Sequence, residues 1–197
     1  MPVHLIRHGE VDNPGGIVYA DIPGFALSPR GRNQADAAGK YLAEQPPRVI
    51  VSSPLERAIE TSQRIAGSIR ADVVTDPRLT EWALLVRWRG TTWADLPRVF
   101  PGELEAYLED PYDLPFSQEP IARVAARVTS AVTDWVSRTD GGIALVSHQD
   151  PIHAAYLHLT NSPHVPFHDK KPQHCTVLTL RAHGQTWQPA ARWDPPQ

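Results

Sequence analysis

Arg7 and His8 stand next to each other near the start of the chain, and both side chains are suited to phosphoryl chemistry. A guanidinium can hold two oxygens of a phosphoryl group at once, and a neutral imidazole nitrogen can attack phosphorus. The largely apolar residues 3–6 before the pair are typical of a buried strand. Ligands of open α/β sheets bind at the carboxyl ends of strands, so the pair is expected at a binding crevice. Gly9 is expected to let backbone approach the bound group, because glycine has no Cβ.

A second arginine, Arg57, is predicted in the first turn of a helix over residues 54–69, after a strand over 48–53. Ser53 and Glu56 match a capping box at the start of this helix. A cation beside the positive end of a helix is unfavourable by itself, but an anion bound between the two removes the conflict. Arg57 is therefore interpreted as an anion ligand rather than as a solvated surface residue.

His148 supplies a second imidazole in a similar position, directly after the apolar run 143–147. This run is the clearest buried strand in the sequence. Three strand ends are thus expected to deliver two arginines and two histidines to one edge of one sheet. Strands that alternate with helices predict an α/β fold with a mostly parallel sheet.

The remaining elements must position these strand ends. They are predicted to be a helix from Pro29 to before Pro46 with Ser28 as its cap, a strand over 72–74, helices over 121–136 and 151–159, and a strand over 176–180 that pairs with 187–188. Residues 11–28 form a long loop, which is interpreted as a wall of the binding site. Residues 82–118 show no clear periodicity and are interpreted as a lid or side wall.

The composition restricts the class of protein. A length of 197 residues, with 41% hydrophobic and 21% charged residues, is typical of one globular domain, which is expected to span 1–197. The net charge of -3 gives no reason to expect nucleic acid or an acidic membrane as a partner. The single cysteine, Cys175, the lack of a leader-like start and the lack of a membrane-length apolar run favour a cytoplasmic location. Monomer and homodimer both stay open.

Four segments resemble the motifs of the histidine phosphatase superfamily, whose fold is phosphoglycerate-mutase-like. They are Arg7-His8-Gly9-Glu10, the run Ser52-Ser53-Pro54-Leu55-Glu56-Arg57-Ala58, Leu79-Thr80-Glu81 and Val146-Ser147-His148. Their order and spacing agree with the family from residue 1 to about residue 180. The resemblance implies a single-domain three-layer α/β/α sandwich around a mostly parallel central sheet.

The resemblance also implies a role for each motif residue. His8 is the nucleophile that becomes phosphorylated, and Arg7, Arg57 and His148 hold the phosphoryl oxygens. Glu81 donates a proton to the leaving oxygen and later takes one from water. These roles match what phosphoryl transfer requires, namely positioning and neutralisation of oxygen charge.

Two further positions are expected to bind the substrate. Asn13 corresponds to a phosphate-contacting asparagine of the family, although it lies one residue closer to the first motif than is usual. Gln149 stands where the family usually has a small residue, so its backbone N–H can face the phosphate while its side chain narrows the pocket. Residues 82–86 are also bulkier than the family pattern, and the tryptophans of this segment permit bulky or aromatic substrates.

The function implied is a metal-independent phosphomonoester hydrolase of the histidine acid phosphatase type. It is expected to need no cofactor and to act on a small-molecule phosphomonoester through phosphohistidine on His8. A phosphoglycerate-type mutase is the main competing function, because Arg87 and Arg89 could recognise a second anionic group. Against it, residues 91–120 are short and broken by prolines, which argues against a large ordered cover.

Two further interpretations of these residues stay open. A non-catalytic phosphate-binding module would keep the arginines without turnover. A metal site could be formed by His164, His168, His174 and Cys175, but their spacing fits no standard zinc pattern.

Overall fold

The chain, described by a computed structural model over residues 1–184 and 186–196, folds around a six-stranded mixed sheet. The strands are β1 (Pro2–Arg7), β2 (Val49–Ser52), β3 (Asp72–Thr75), β4 (Ile143–Ser147), β5 (Val177–His183) and β6 (Thr186–Trp193). Their order in the sheet is β3-β2-β4-β1-β5-β6. The first four of these run parallel, whereas β5 is antiparallel to β1 and β6 is antiparallel to β5. The prediction of an α/β fold with a mostly parallel sheet is confirmed.

Helices cover both faces of the sheet. They are α1 (Pro29–Leu42), α2 (Glu56–Ile69), α3 (Ala83–Trp88), α4 (Leu96–Val99), α5 (Glu103–Glu109), α6 (Ile121–Arg138) and α7 (Gln149–Leu159). The buried residues of α1 and α2 share an apolar cluster with one face of the sheet, and those of α6 and α7 share another cluster with the opposite face. This arrangement is the predicted three-layer sandwich, with Gln185 and Gln197 of the predicted domain lying outside the described residues.

Residues 82–118, which showed no periodicity, form three short helices that pack on their own apolar cluster. Trp82 and Trp88 are fully buried in this cluster, together with Leu96. The segment is thus ordered into short helices despite its prolines. The prolines lie in the first turn of α4 and in the turns between helices, so they delimit short helices without interrupting them.

The helix boundaries agree with the sequence except at two helix starts. Ser28 caps α1 as predicted, because its Oγ accepts a hydrogen bond from the N–H of Gly31 at 2.9 Å. The capping box predicted for α2 is wrong, since this helix begins at Glu56 and its first side chain accepts from the N–H of Gly24 instead. α7 begins at Gln149, two residues before the predicted start. No helix within the described part of the chain combines the length and apolar character that crossing a membrane requires.

Gly9 follows β1 and packs against the first turn of α1. A Cβ on Gly9 would lie 2.6 Å from the carbonyl oxygen of Gly31, and a Cβ on Gly31 would overlap the backbone of Glu10. Gly9 is thus required here because α1 approaches its backbone. Two facing glycines let α1 lie directly on the segment that carries His8.

Gly31→Ala is expected to lower the free energy of unfolding by about 1–3 kcal/mol, because the added methyl group meets backbone atoms that cannot turn away. Gly67→Ala is the matched control, since it lies in α2 with open space around its Cβ position. That variant is expected to be neutral or stabilised by roughly 0.5–1 kcal/mol, as is usual for glycine in a helix. Urea unfolding measures both, and equal stabilities would contradict the close packing.

Candidate active site

The carboxyl ends of β1 and β4 open into a cavity of about 290 Å³. Arg7 and His8 line it from the end of β1, and residues 17–20 of the long loop form one wall. The prediction that this loop contributes to the pocket is confirmed. Loop residues reach this position because Val11 bridges to Leu27 at the base of the loop.

His8 is almost fully buried, with 2% of its surface exposed, and its partners fix its tautomer. Nδ1 lies 2.8 Å from the carbonyl oxygen of Gly9, which can only accept, so Nδ1 carries the hydrogen. Nε2 is then the unprotonated nitrogen, and Nε of Arg57 donates to it at 3.2 Å. Burial, reinforced by the charge of Arg57, holds the pKa of His8 well below the ordinary histidine value. A neutral ring with its Nε2 lone pair available is the form that can act as a nucleophile.

Arg57 is buried, with 2% of its surface exposed, so it is not a solvated surface residue. One Nη donates to the carbonyl oxygen of Ala20 at 2.8 Å, and the guanidinium stacks over the ring of Tyr19 at 4.7 Å. The same group lies 3.8 Å from the carboxylate of Glu81. These contacts hold the guanidinium between the nucleophilic nitrogen of His8 and the acidic side chain.

Arg7 is fixed by the segment that leads into β5. It donates to the carbonyl oxygen of Pro172 at 3.1 Å and to Nε2 of His174 at 2.9 Å. Since an arginine cannot accept, His174 must present an unprotonated nitrogen. Burial and the charge of Arg7 lower the pKa of His174 to about 3, which keeps this acceptor available. The Nε of Arg7 is buried and has no partner among the described residues.

His148 lies behind His8, with 5.2 Å between the ring centroids. Its Nε2 lies 2.8 Å from the Oγ of Ser53, whose own hydroxyl also accepts from the N–H of Leu55. The hydroxyl hydrogen of Ser53 is therefore free to point at His148, which leaves the hydrogen of the neutral ring on Nδ1. Nδ1 is buried without a hydrogen-bond partner in the described structure and faces the carboxylate of Glu81 at 3.6 Å.

Glu81 lines the cavity next to Arg57 and His148 and is only 8% exposed. Its Oε1 accepts from the N–H of Trp82 at 2.9 Å. Burial raises the pKa of Glu81 to about 7, against the opposing charge of Arg57 and with a smaller contribution from Asp150. A carboxyl with this pKa can both give and take a proton at neutral pH.

Arg127 of α6 fixes the segment that carries Glu81. It donates to the carbonyl oxygens of Arg78, Thr80 and Glu81 at 2.6–3.1 Å. Its Nε also donates to Glu119 at 2.7 Å. This arginine was missed at the level of sequence, where it is one polar residue on the exposed side of an amphipathic helix.

Asn13 and Gln149, predicted to bind the substrate, both line the cavity. The amide of Asn13 exchanges two hydrogen bonds with the backbone of Ile17, so one N–H remains for a ligand. The side chain of Gln149 donates to the carbonyl oxygen of Pro172 at 3.2 Å, which holds it at the edge of the cavity. α7 has eleven residues and begins at Gln149, so the positive end of its helix dipole points at this site.

Several side chains suggested by the sequence lie elsewhere. Arg87 is bound to Glu103 at 2.7 Å and Arg89 to Asp21 at 3.2 Å, and neither lines the cavity. Trp82 and Trp88 are buried behind the wall, so Trp93 is the tryptophan that faces the cavity among the described residues.

The histidines and the cysteine considered as metal ligands do not come together. His168 bonds the carbonyl oxygen of Tyr107, His174 bonds Arg7, and Cys175 is buried in the apolar cluster under α1 and α2. Residues 1–184 and 186–196 contain no group of three or more His, Cys, Asp or Glu side chains that could hold a metal ion.

Two residues that line the cavity, Tyr107 and Asp150, also escaped the sequence analysis. Tyr107 lies in the segment without periodicity. Asp150 was visible only as part of a departure from the family pattern. The signal that could have identified Asp150 is its position beside Gln149, directly after the second-histidine strand.

The arrangement can bind a tetrahedral anion against His8. Arg57 contacts Nε2 of His8, and Nε of Arg7 and Nδ1 of His148 are buried without a hydrogen-bond partner in the described structure. Because buried donors normally have partners, these two groups can serve a ligand rich in acceptors. The fold and these residues define an α/β protein with a candidate phosphoryl-binding site.

Residues 3–194 match the family model described as the histidine phosphatase superfamily (branch 1), and the chain belongs to this superfamily. It is 32% identical to the glucosyl-3-phosphoglycerate phosphatase of Mycobacterium tuberculosis over 81% of this chain and 75% of the relative. It is 33% identical to the 2,3-bisphosphoglycerate-dependent phosphoglycerate mutase of Thermoplasma acidophilum, over 77% and 72% of the two chains. A solved structure of mycobacterial glucosyl-3-phosphoglycerate phosphatase with VO3 superimposes with a TM-score of 0.85 at 29% identity, covering 99% of each chain.

Glu81 is expected to titrate with a midpoint near its raised pKa of about 7. A ¹³C NMR titration of labelled glutamate side chains measures this, with the resonance assigned by its loss in Glu81→Gln. Glu103 is the matched control, because its hydrogen bonds to Arg87 lower the pKa of its carboxyl. A Glu81 midpoint near the ordinary glutamate value of about 4.3 would contradict the burial argument.

The same shift has a consequence for stability. The folded-state pKa of Glu81 lies above the unfolded value. The contribution of Glu81 to the stability of the folded state is therefore complete below the unfolded pKa and is lost as the pH rises through about 7. Glu81→Gln, which stays neutral, is therefore expected to gain in thermal stability relative to the unchanged protein above that pH and not below the ordinary glutamate pKa.

Proposed function

We propose that the protein hydrolyses small-molecule phosphomonoesters through a phosphohistidine on His8, without a metal ion or other cofactor, as a histidine acid phosphatase-type enzyme. The observation that supports this most directly is the unprotonated Nε2 of His8, held at the cavity in hydrogen-bond contact with Arg57. Membership of the superfamily and the hydrolytic relative support the same reaction class. The domain is proposed to span 1–197 and to work in the cytoplasm.

In the first half of the reaction, Nε2 of His8 attacks phosphorus while the bond from phosphorus to the leaving oxygen breaks. Arg7, Arg57 and the Nδ1–H of His148 neutralise charge on the phosphoryl oxygens, which is the main requirement of phosphoryl transfer. Protonated Glu81 gives its proton to the leaving oxygen, so the alcohol departs uncharged. The hydrogen bond from Nδ1 to the carbonyl of Gly9 supports the positive charge that the ring acquires.

In the second half, Glu81 is the base. It takes a proton from a water molecule as the water oxygen attacks phosphorus, and the bond from phosphorus to Nε2 breaks. His8 returns to its neutral form, Glu81 to its protonated form, and inorganic phosphate leaves. The raised pKa of Glu81 matches both tasks at neutral pH.

Incubation with a ³²P-labelled substrate is expected to label His8 alone. His8→Ala should remove label and turnover, while His148→Ala should slow turnover without moving the label to another residue. Mass spectrometry after a quench that avoids acid locates the modification. Label on a serine, an aspartate or Cys175 would contradict the mechanism.

Unchanged turnover after dialysis against EDTA would support metal independence. A folded protein that binds phosphate without label or turnover would favour a non-catalytic binding module.

Glu81→Gln is expected to reduce kcat/KM for alkyl phosphates by roughly 10²–10⁴-fold, the usual contribution of general acid catalysis. Aryl phosphates should lose much less, because a phenolate leaves without a proton. Arg127→Lys is the comparison variant, because it should misplace Glu81 and so slow the hydrolysis of alkyl phosphates. The pH profile of hydrolysis, which depends on the pKa of Glu81, should be retained. Equal losses on aryl and alkyl substrates would show that Glu81 is not the acid.

A phosphoglycerate-type mutase is the second candidate, and the 33% identity to such an enzyme is the observation that favours it. A mutase passes the phosphoryl group to a second hydroxyl and must keep water out of the cavity. The arginines proposed to recognise a second anionic group, Arg87 and Arg89, are held in ion pairs outside the cavity. This arrangement favours water as the acceptor.

A phosphomonoester screen run beside a coupled 3-phosphoglycerate mutase assay separates the two reaction classes. Phosphate release is expected to exceed mutase turnover for every substrate that is accepted. Mutase turnover exceeding phosphate release by about an order of magnitude would overturn the hydrolase proposal.

A further inference from the structure

Asp150, Tyr107 and Lys171 form a buried corner in the wall of the cavity. The carboxylate of Asp150 accepts from the hydroxyl of Tyr107 at 3.1 Å and from Nζ of Lys171 at 2.7 Å. Lys171 also donates to the hydroxyl of Tyr107 at 2.7 Å, so the three polar groups contact one another. Asp150 is 4% exposed and Tyr107 is 6% exposed.

The corner does not present its three groups equally to the cavity. Asp150 and Tyr107 line the cavity, whereas Lys171 approaches from behind, with its Nζ 4.6 Å above the ring of Phe167. The ammonium group is thus committed to Asp150 and Tyr107. A molecule in the cavity meets a carboxylate and a phenol hydroxyl first.

The two arginines predicted to recognise a second anionic group are also committed to other partners. Arg87 and Arg89 are paired with Glu103 and Asp21, outside the lining. Among the described residues that line the cavity, Arg7 is the cation, and its Nη groups are bound to Pro172 and His174. An anionic leaving group beside Asp150 would therefore face a carboxylate of like charge.

The carboxylate of Asp150 still has acceptor capacity. A carboxylate offers about four lone-pair sites, and Lys171 and Tyr107 supply two of the donors. A hydroxyl or ammonium group on the substrate can complete the set. Ile17, Leu85 and Trp93 also line the cavity and offer apolar contact to a carbon skeleton.

We propose that Asp150 and Tyr107 select phosphomonoesters whose leaving group is uncharged or cationic and carries a hydroxyl or amino donor, and that they reject carboxylate-bearing leaving groups. The inference rests on the proposed hydrolase function and adds a substrate class to it. It separates this chain from the relative named glucosyl-3-phosphoglycerate phosphatase, since glycerate carries a carboxylate. Rejection of the wrong substrate by like charge is a common source of specificity.

Two matched substrate pairs test the proposal on the unchanged protein. Glycerol 3-phosphate and 3-phosphoglycerate differ by a hydroxymethyl group against a carboxylate, and phosphoethanolamine and phosphoserine differ by an added carboxylate. In each pair kcat/KM is expected to favour the substrate without the carboxylate by about tenfold or more, as like-charge contact at a buried site implies. Equal or reversed values would overturn the proposal.

p-Nitrophenyl phosphate distinguishes this failure from failure of the hydrolase function. If it is hydrolysed while the carboxylate substrates are preferred, the selectivity is wrong and the hydrolase function stands. If neither it nor any member of the two pairs releases phosphate, the proposed function itself fails.

Two variants assign the selectivity to the corner. Asp150→Asn keeps the shape and removes the charge, so the ratio of kcat/KM within each pair should fall by about fivefold or more toward unity. Lys171→Gln leaves the charge of Asp150 unbalanced, so the same ratio should rise. A kcat/KM ratio that falls in Asp150→Asn and rises in Lys171→Gln identifies the Asp150 charge as the source of the selectivity, even if one variant folds poorly. A change in the same direction in both variants would contradict this assignment.

Asp36→Asn is the matched control for net charge. Asp36 is a surface carboxylate paired with Arg64 at 2.9 Å, outside the cavity. The substrate ratio should stay unchanged in this variant. Because both substrates of a pair need the same proton donor, any effect of Asp150 on Glu81 cancels in the ratio.

Discussion

The burial of His8 beside Arg57 is the contact on which the rest of the site depends. An imidazole nitrogen faces a guanidinium at 3.2 Å with little water nearby, so the ring must stay neutral. This contact requires that β1 end where α2 begins, and that α1 close over both. Gly9 and Gly31 make this closure possible, because their lack of side chains lets the two backbones touch.

The same burial shifts the pKa values of His8 and Glu81 in opposite directions. Loss of water disfavours the charged form of each group, which lowers the pKa of His8 and raises that of Glu81. Both groups are therefore neutral together at pH values above the lowered pKa of His8 and below about 7. The protonation states that the proposed nucleophile and acid require thus arise from one physical cause.

The sequence was sufficient to place Arg7, His8, Arg57 and His148, because each follows a strand or begins a helix whose apolar pattern is strong. It was insufficient for Arg127 and Asp150, since their contacts depend on how α6 and α7 pack against distant segments. The expectation that the tryptophans face the substrate fails for Trp82 and Trp88, for a different reason. Their indole N–H groups find partly buried acceptors, Glu119 for Trp82 and Glu103 for Trp88, and this allows both rings to turn inward. Local pattern does not contain that information.

The position of β1 in the middle of the sheet has a consequence for biosynthesis. Its partners are β4 and β5, so Val3 pairs with Ile143 on one side and Leu180 on the other. β1 leaves the ribosome before both partners and must wait for them, which takes on the order of ten seconds or more at usual elongation rates. During that time an apolar strand has both edges unpaired. The segment that carries His8 is thus made long before its partners in the sheet, and chaperone binding to nascent chains should concentrate there.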